Sequence, residues 1–450
     1  MEKRKIGYLA VSKASWLTPK IQKIAERTHE SLKTLPEEIL FHGVTTTEAE
    51  AIARAEEFRA AGVDAVVMHF VTFPVGAIIP AVAQRLDVPF LLVGNPEVPG
   101  AGKMWEQNSF CGLNMAAHGM NRLGRRYSWT MAEPEHTAEA LKSPLAAVRA
   151  MRSLAELRVG LAGGRVPGFY TSNFDELQLR REFGVTVEVF DLIEAAKTAE
   201  ALTGAELAAA ELVVKKSAAR INAVSGAELQ LAARLYGAFR KIAEKYNVST
   251  FAARCWPELP DFFGIAPCAV LGMLSDTGFI TSCEGDVTGA VTMKLLEFLA
   301  GGGLPFFVDL IRCDAKTNTG VVWHCGAAPA GLSRCFAETE LRLHMRVDGG
   351  DRKGVTNDFA LKPGRVTLAK LDTGADGKLR MLIAPGIAID TEPFIRGNPL
   401  EIKFDGKIPE LVDTIMRKGF EHHYAVIHAD VKAALVQFCE WMDIEIVAVG

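Results

Sequence analysis

The sequence predicts an α/β fold: two successive open α/β (Rossmann-like) domains, then a β-rich, barrel-like C-terminal domain whose terminal α/β tail returns to the middle domain. Apolar strand-like runs alternate with helical segments from Ile6 to about position 150. The same alternation starts again at Leu157. After about Gly331, alternating segments are separated by turn residues, a pattern typical of antiparallel sheets. We therefore predict three domains: 1–155, 156–330 (carrying most metal-binding and catalytic residues) and 331–450.

The first predicted domain is built from buried parallel strands. Ile6–Val11 reads as a strand, and Val63–Phe70 is a near-continuous apolar run of the kind found in parallel sheets. Thr46–Ala61 has helical periodicity, with threonines able to cap its start and Gly62 at its end. Because ligands of open α/β sheets bind beyond the carboxyl ends of strands, His69 is a candidate wall residue of a cleft. The alternative is a core-edge histidine whose ring is satisfied by backbone groups.

The second predicted domain opens with a strand at Leu157–Ala162 and a glycine-rich turn, GGRVPG, at 163–168. This turn lacks both the phosphate-loop pattern and the dinucleotide pattern. A structural turn is therefore favoured over a nucleotide cradle.

The stretch Phe279–Cys325 contains three potential metal ligands or catalytic acids: Glu284, Asp309 and His324. Each is predicted where an apolar element gives way to a loop, and strand ends can aim polar groups at one point. The predicted elements are strand Ile280–Ser282, helix Val287–Ala300 with Asp286 as its cap and Gly301 at its end, and strands Pro305–Leu310 and Val321–Trp323.

The C-terminal part supplies a fourth candidate ligand, because His422 and His423 precede a predicted strand at Tyr424–His428. Two carboxylates and two imidazoles suit Mn²⁺, Co²⁺, Mg²⁺ or Fe²⁺ better than a structural Zn²⁺. Such a site could move a proton between adjacent carbons of a sugar, which is aldose–ketose isomerisation through a cis-enediol. The other predicted elements are strands Leu341–Val347, Phe359–Leu361, Arg365–Leu371 and Leu379–Ile389, a turn at 348–351 and helix Ile408–Lys418.

Composition excludes several classes of protein. The formal net charge of −4, with dispersed Lys and Arg, gives no reason to expect nucleic-acid binding. The N-terminus does not read as a signal peptide, and no run of about 18 apolar residues predicts a membrane span. The eight cysteines show no CxxC or disulfide-scaffold spacing, so free thiols in a reducing cytoplasm are expected.

The chain resembles the L-fucose isomerase / L-arabinose isomerase superfamily, as a divergent member. The resemblance rests on Cys255-Trp256-Pro257-Glu258, Ser282-Cys283-Glu284-Gly285-Asp286, Phe307-Val308-Asp309, Trp323-His324-Cys325-Gly326, His422-His423-Tyr424 and His428-Ala429-Asp430. It implies a metal-dependent sugar isomerase, with Mn²⁺ preferred among divalent metals. Glu284 and Asp309 would then be metal ligands and the acid/base pair. His423 would be the tail ligand, and His324 either a third ligand or a residue that contacts one.

The resemblance also implies a homo-oligomer, a trimer or hexamer, in which the first domain of one subunit covers the site of another. Trp16 and His69 would then serve a neighbour's pocket. Within the chain, the predicted sugar contacts are a stacking face from Trp256, with a core tryptophan as the alternative, and His422.

The sugar itself is left open. Divergent relatives include isomerases of an anionic sugar, sulfoquinovose, which needs a cationic anchor; Arg165, Arg254 and Arg312 are candidates, with salt bridges as the alternative role for each. A non-catalytic sugar-binding protein and a metal-dependent epimerase or aldolase are the competing functions.

Overall fold

The computed structural model describes residues 3–97, 104–345 and 351–450, with only the backbone of Asp351 and Arg352. The chain divides into two units, Met1–Arg152 and Ser153–Gly450. The predicted turn at 348–351 lies outside the described residues except for position 351. The predicted strand Leu341–Val347 is described only as far as Met345.

The first unit is a five-stranded sheet with helices between its strands. All pairs are parallel, in the order β2-β1-β3-β4-β5. Its elements are β1 Lys5–Val11, α1 Pro19–Leu32, β2 Glu38–Thr45, α2 Glu48–Ala61, β3 Ala65–Phe70, α3 Ile78–Ala83, β4 Phe90–Gly94, α4 Ser109–Arg122, β5 Tyr127–Met131, α5 Thr137–Ala140 and α6 Lys142–Ala155, the last of which continues into the second unit.

Local sequence explains the best-predicted elements of this unit. Strand β3 is buried at every position, as a central parallel strand requires. Helix α2 is held by a capping box in which Thr47 accepts from the backbone of Glu50 while the Glu50 side chain accepts from that of Thr47. Gly62 ends this helix in the left-handed conformation, at φ 67°.

The second unit begins with a four-stranded parallel sheet in the order β10-β9-β6-β7. Its elements are β6 Arg158–Ala162, α7 Glu176–Phe183, β7 Thr186–Phe190, α8 Leu192–Ala201, α9 Gly204–Lys216, β8 Arg220–Ile221, α10 Gly226–Tyr246, β9 Thr250–Ala253, α11 Glu258–Phe262, α12 Cys268–Asp276, β10 Thr281–Cys283 and α13 Val287–Ala300. The short β8 pairs instead with β13 of the small sheet described below.

The remaining strands form a seven-stranded sheet in the order β15-β18-β11-β12-β17-β16-β19 and a small β14-β13-β8 sheet. Because β15 also pairs with β16, six strands of the larger sheet close on themselves. The elements are β11 Pro305–Asp314, β12 Thr319–Trp323, β13 Glu340–Met345, β14 Asp351–Asp358, β15 Gly364–Thr373, β16 Leu379–Ala388, β17 Leu400–Phe404, α14 Ile408–Lys418, β18 His423–Ile427, α15 Lys432–Met442 and β19 Glu445–Ala448.

The closed sheet includes β11 and β12, which precede position 330 in the sequence. Along β11, Phe306 and Val308 belong to the apolar core of this sheet. The alternate residue Phe307 lies against α13, where a side chain at Gly289 would come within 2.5 Å of its ring. Strand period therefore places Asp309, like Phe307, on the face directed away from that core.

One predicted strand is wrong. Phe359–Leu361 is buried, but it follows the end of β14 and makes only an isolated bridge between Leu361 and Ser333. These three apolar residues fill the core without joining the hydrogen-bonded sheet. Burial alone does not distinguish a buried strand from a buried loop.

Helix α13 has the bounds that the sequence predicts. The Asp286 side chain accepts from the backbone of Gly289 at 2.6 Å, and Gly301 ends the helix at φ 72°. Helix α13 spans 14 residues, and most of them are buried.

Within the described ranges, no helix is both long and apolar enough to cross a bilayer.

Candidate active site

Strand pairing brings two predicted ligands together. In the register of β11 and β18, Asp309 lies directly opposite His423, and on its other side Asp309 lies opposite Trp323 of β12. His324 follows Trp323 in the chain. The imidazole Nε2 of His423 is 3.9 Å from Oδ1 of Asp309, and Nδ1 of His324 is 3.7 Å from its Oδ2. Asp309 thus lies between the two histidines.

The turn after β10 places Glu284 at the same point. Glu284 adopts φ +60°, which is uncommon for a residue with a side chain. Gly285 follows at φ +70°, and a side chain there would come within 2.3 Å of the Gly164 carbonyl. The glycine-rich turn at 163–168 therefore packs directly against the Glu284 turn.

The imidazole of His423 is held between two carboxylates. Its Nε2 is 2.7 Å from Oε2 of Glu284, and its Nδ1 is 3.2 Å from Oδ2 of Asp286. The fully buried Lys370 donates to the same Asp286 oxygen at 3.1 Å and pairs with Glu421 at 2.5 Å. A carboxylate on one ring nitrogen fixes the ring and directs the other nitrogen, as around metal-binding histidines.

His324 is 3% exposed, yet neither of its ring nitrogens has a hydrogen-bond partner among the described residues. Oδ1 of Asp309 is also buried without one. Buried polar atoms are almost always satisfied, so unpartnered ones call for an explanation. An imidazole and a carboxylate oxygen without partners, beside Glu284 and His423, belong to a set of residue types that suits a divalent cation.

The charges in this site shift the pKa values of its members. Burial would raise the pKa of Glu284, but the hydrogen bond with His423 and the charge of His324 outweigh it and lower this pKa. The pKa of Asp309 is lowered against burial by His324 and His423. Burial would lower the pKa of His324, but Cys325, Asp309 and Glu284 raise it to about 10.

A cavity of about 330 Å³ opens beside these groups, lined by Trp256, Glu284, Asp309 and His324 among others. The indole of Trp256 donates to Oε1 of Glu284 at 3.2 Å. Phe169 meets both Trp256 and His422 edge to face, at 5.4 and 5.8 Å between ring centres. The lining of the cavity therefore combines an indole ring, two carboxylates and an imidazole.

His422 differs from its neighbour in being exposed. Its ring centre is 3.9 Å from that of His423. Single donor atoms of Glu284, His422 and His423 lie within 4.8 Å of one another. Both tail histidines can therefore reach the Glu284 carboxylate. His423 differs in that the Asp286 carboxylate also contacts its ring.

Two predicted anion-binding arginines are engaged within the protein. Arg254 forms an ion pair with Glu258 at 3.0 Å. Arg312 forms one with Glu401 at 3.1 Å, and its guanidinium also lies 5.5 Å from the ring centre of Phe394.

The first unit holds the other two predicted site residues. His69 is fully buried; its Nδ1 is 2.8 Å from the Tyr8 hydroxyl and its Nε2 is 2.7 Å from Oδ1 of Asn95. This geometry favours the satisfied core histidine over a pocket wall. Trp16 is half-buried in a short 3₁₀ turn, with the Lys13 ammonium 6.0 Å from its ring.

The expectation that Asp309 lies near a strand end is wrong. Strand β11 continues to Asp314, so Asp309 lies inside it, and the register shifts just beyond, between Leu310 and Arg312. Such irregularities reorient side chains next to functional sites.

Sequence reasoning also missed three contributors: Lys370, Phe169 and the contact that the helix-capping residue Asp286 makes with His423. A lysine inside an apolar strand was the one available signal, because lysine is rarely buried unless paired.

Comparisons with known proteins decide the family. Residues 9–157 match the N-terminal domain of fucose/sulfoquinovose isomerases, and residues 322–449 match the C-terminal domain of L-fucose isomerase. The chain belongs to the fucose isomerase family. It is a divergent member and an isomerase, from a family of aldose–ketose isomerases.

Curated relatives of this isomerase carry one name. Sulfoquinovose isomerase of Alkalicoccus urumqiensis is 30% identical over 82% of each chain. That of Priestia megaterium is 28% identical over 89% of each, and that of a Clostridium species 28% identical over 84% of this chain and 85% of its own. A solute-binding protein from Agrobacterium vitis, solved with α-D-tagatopyranose, covers 67% of this chain and 90% of its own at 14% identity, but its TM-score of 0.18 carries no argument.

Proposed function

We propose that this isomerase interconverts a sulfonated aldose, sulfoquinovose, and its ketose with the help of a divalent metal, and that Glu284 and Asp309 move the protons. The observation that carries the proposal is the convergence of both carboxylates on one imidazole, at 2.7 Å and 3.9 Å from Nε2 of His423, beside an open cavity. The names of the relatives support the sulfonated substrate.

The reaction needs two coupled proton movements. One carboxylate takes the proton from C2 of the open-chain aldose, which leaves a cis-enediolate, and returns it to C1. The second accepts the O2 hydroxyl proton and passes it to O1, so that the ketose carbonyl forms at C2 with no net change in atoms. Both carboxyl groups have lowered pKa values and are ionised at neutral pH, as proton acceptors must be.

Glu284, Asp309, His324 and His423 would hold the metal, with Mn²⁺ preferred and Co²⁺, Mg²⁺ or Fe²⁺ as alternatives. The unpartnered atoms of Asp309 and His324 support this assignment. When bound, the metal polarises the sugar carbonyl and the adjacent hydroxyl. The Lys370–Asp286 pair keeps His423 in position, and Trp256 holds Glu284 through its indole N–H.

Arg165 is the candidate anchor for the sulfonate. Its backbone touches the Glu284 turn, since a side chain at Gly285 would come within 2.9 Å of the Arg165 Cα. Its guanidinium is partly exposed, 5.2 Å from the ring centre of Tyr170, and within the described parts of the chain it has no ion pair with a carboxylate. Arg254 and Arg312 already have acidic partners, which makes Arg165 the best placed of the three to bind a sulfonate.

The proposal extends to the assembly expected of the family, a homo-oligomer in the cytoplasm. In a trimer or hexamer, a neighbour's first unit would complete the pocket, with Trp16 as its partly exposed aromatic contribution.

The decisive experiment is an aldose panel followed by NMR, with Mn²⁺ present. We expect sulfoquinovose to convert to its ketose, and neutral D-glucose to convert at least about 10-fold less efficiently in kcat/KM, the effect of losing one charge-assisted contact. Arg165→Met should raise KM for sulfoquinovose and leave the neutral sugar unaffected; Arg180→Met, an exposed arginine in α7, is the matched control. Equal efficiency with both sugars would contradict the sulfonated substrate, and turnover unchanged by EDTA would contradict the metal.

A further inference from the structure

A second group of metal-binding side chains lies in the wall of the same cavity. Cys268 is the first residue of α12, Cys325 follows His324 in the loop after β12, and His344 lies on β13. All three line the cavity of about 330 Å³. Single donor atoms of the three lie within 4.8 Å of one another.

We propose that Cys268, Cys325 and His344 form a binding site for a thiophilic divalent metal ion such as Zn²⁺, separate from the carboxylate–histidine site. Its donors are two sulfurs and one nitrogen, which favour Zn²⁺ over the harder Mn²⁺ or Mg²⁺. The other site has carboxylate oxygens and imidazoles, so the two are expected to select different metals.

The distance between the sulfurs supports a tetrahedral ion. Two sulfurs each about 2.3 Å from Zn²⁺ and separated by the tetrahedral angle lie about 3.8 Å apart. Sγ of Cys268 and Sγ of Cys325 are 3.6 Å apart, so little movement is needed. No disulfide joins any of the eight cysteines, so both sulfurs are available as ligands.

The histidine supplies an independent observation. Nδ1 of His344 is buried and has no hydrogen-bond partner in the described chain. An unpartnered imidazole nitrogen beside two thiols is readily explained as a metal donor. The fourth position of a tetrahedral ion would face the cavity that all three side chains line, leaving it open to water.

The bound ion would join a helix, a loop and a strand around the active-site wall. Because Cys325 is adjacent to His324 in sequence, occupancy would also restrain the loop that carries this active-site histidine. Ligand binding to the folded state alone stabilises it, so Zn²⁺ should raise the thermal unfolding midpoint.

The test uses the full chain, stripped of metal, under reductant and titrated with Co²⁺. Thiolate-bound Co²⁺ gives a near-ultraviolet charge-transfer band that a carboxylate–histidine site cannot produce. We expect this band in the wild type, its displacement by Zn²⁺, and its persistence in Glu284→Gln. We expect the band to lose at least about half of its intensity in Cys268→Ser, which leaves only the Cys325 thiolate. In His344→Gln we expect the affinity for Co²⁺ to be about 10-fold weaker.

Cys439→Ser, which alters a buried cysteine in α15, is the matched control and should keep the band. If Cys268→Ser does not fold by circular dichroism, His344→Gln decides the question, because His344 is only partly buried. A wild type without the band, or a band that neither variant weakens, would overturn the site. The band does not depend on turnover, so this result stands apart from the proposed isomerase substrate.

Discussion

Two buried histidines, one in each unit, have opposite surroundings. His69 in the parallel sheet of the first unit has a partner on each ring nitrogen, Tyr8 and Asn95. His324, beside the closed sheet of the second unit, has no hydrogen bond on either nitrogen from the part of the chain that the structure describes. His69 is the last residue but one of β3, His324 directly follows β12, and both are at most 3% exposed. Sequence position and burial therefore do not distinguish them, whereas hydrogen-bond satisfaction does.

The difference supports a structural role for His69 and the proposed metal-binding role of His324. A satisfied buried imidazole contributes to stability through its two partners. An unsatisfied one costs stability, and such a residue is explained if a ligand completes its bonds. Burial also lowers the pKa of His69 to about 4, which keeps this satisfied imidazole neutral at pH 7.

The largest expected effect concerns the carboxylate next to the unsatisfied histidine. Glu284→Gln keeps the size of the side chain and removes the base, so kcat should fall about 10³-fold or more, the range of general acid–base catalysis. Ketose formation followed by NMR measures this loss. Glu440→Gln, an exposed position on α15, is the control, and a Glu284 variant with wild-type kcat would remove Glu284 from the mechanism.

The next effect tests the comparison directly. His324→Leu should weaken Mn²⁺ binding about 100-fold, because it removes a proposed ligand, whereas His69→Leu should leave the intrinsic affinity unchanged. Isothermal titration of the two variants and the wild type gives the ratio. Equal losses in both variants would show that hydrogen-bond satisfaction does not separate the two roles.

A smaller effect is expected on stability. His69→Leu removes the buried hydrogen bonds with the Tyr8 hydroxyl and with Oδ1 of Asn95, and should lower the free energy of unfolding by about 2 kcal/mol. The loss is limited because the Tyr8 hydroxyl still donates to the Ala25 carbonyl and the Asn95 amide still donates to the Ala132 carbonyl. Urea denaturation, in the absence of metal, measures the change. His69→Gln, which can keep one hydrogen bond, should lose less; the reverse order would argue against the proposed hydrogen bonds.

The smallest effect is a pH dependence. His69 has its pKa lowered from 6.5 to about 4 by burial, so the unfolded chain binds the proton first. The stability that neutral His69 contributes is complete above pH 6.5 and is lost as the pH falls towards 4. By pH 5.5 the loss should be about 1 kcal/mol. Unfolding at pH 7.5 and 5.5 should show this difference in the wild type and a smaller one in His69→Leu.

Much of the fold is predictable where local chemistry decides it. Asp286 and Gly301 set the two ends of α13, and the apolar run of β3 identifies a central parallel strand. Strand β2 was missed because it lies at the sheet edge, where its side chains are mostly half-buried or exposed and the apolar pattern is weak. Phe359–Leu361 was mispredicted because its burial resembles that of a strand.

The site was predictable as a set of residues but not as a geometry. Glu284, Asp309, His324 and His423 all follow from residue type and from the family resemblance. The pairing of Asp309 with His423 depends on the register between two strands. The contact of Asp286 with the other ring nitrogen of His423 depends on a helix-capping residue that also makes this second contact. Neither is encoded in a local pattern, and the buried Lys370 is visible only as an unusual residue within TLAKLD.

The pairing of β11 with β18 also constrains how the enzyme is made. Asp309 and His423 are more than 100 residues apart in the chain. During translation more than 100 further residues must follow Asp309 before β18 can join β11, and contacts of such high contact order form slowly. A nascent chain therefore carries Glu284, Asp309 and His324 well before it can assemble an active site, and a truncation before β18 should accumulate without activity.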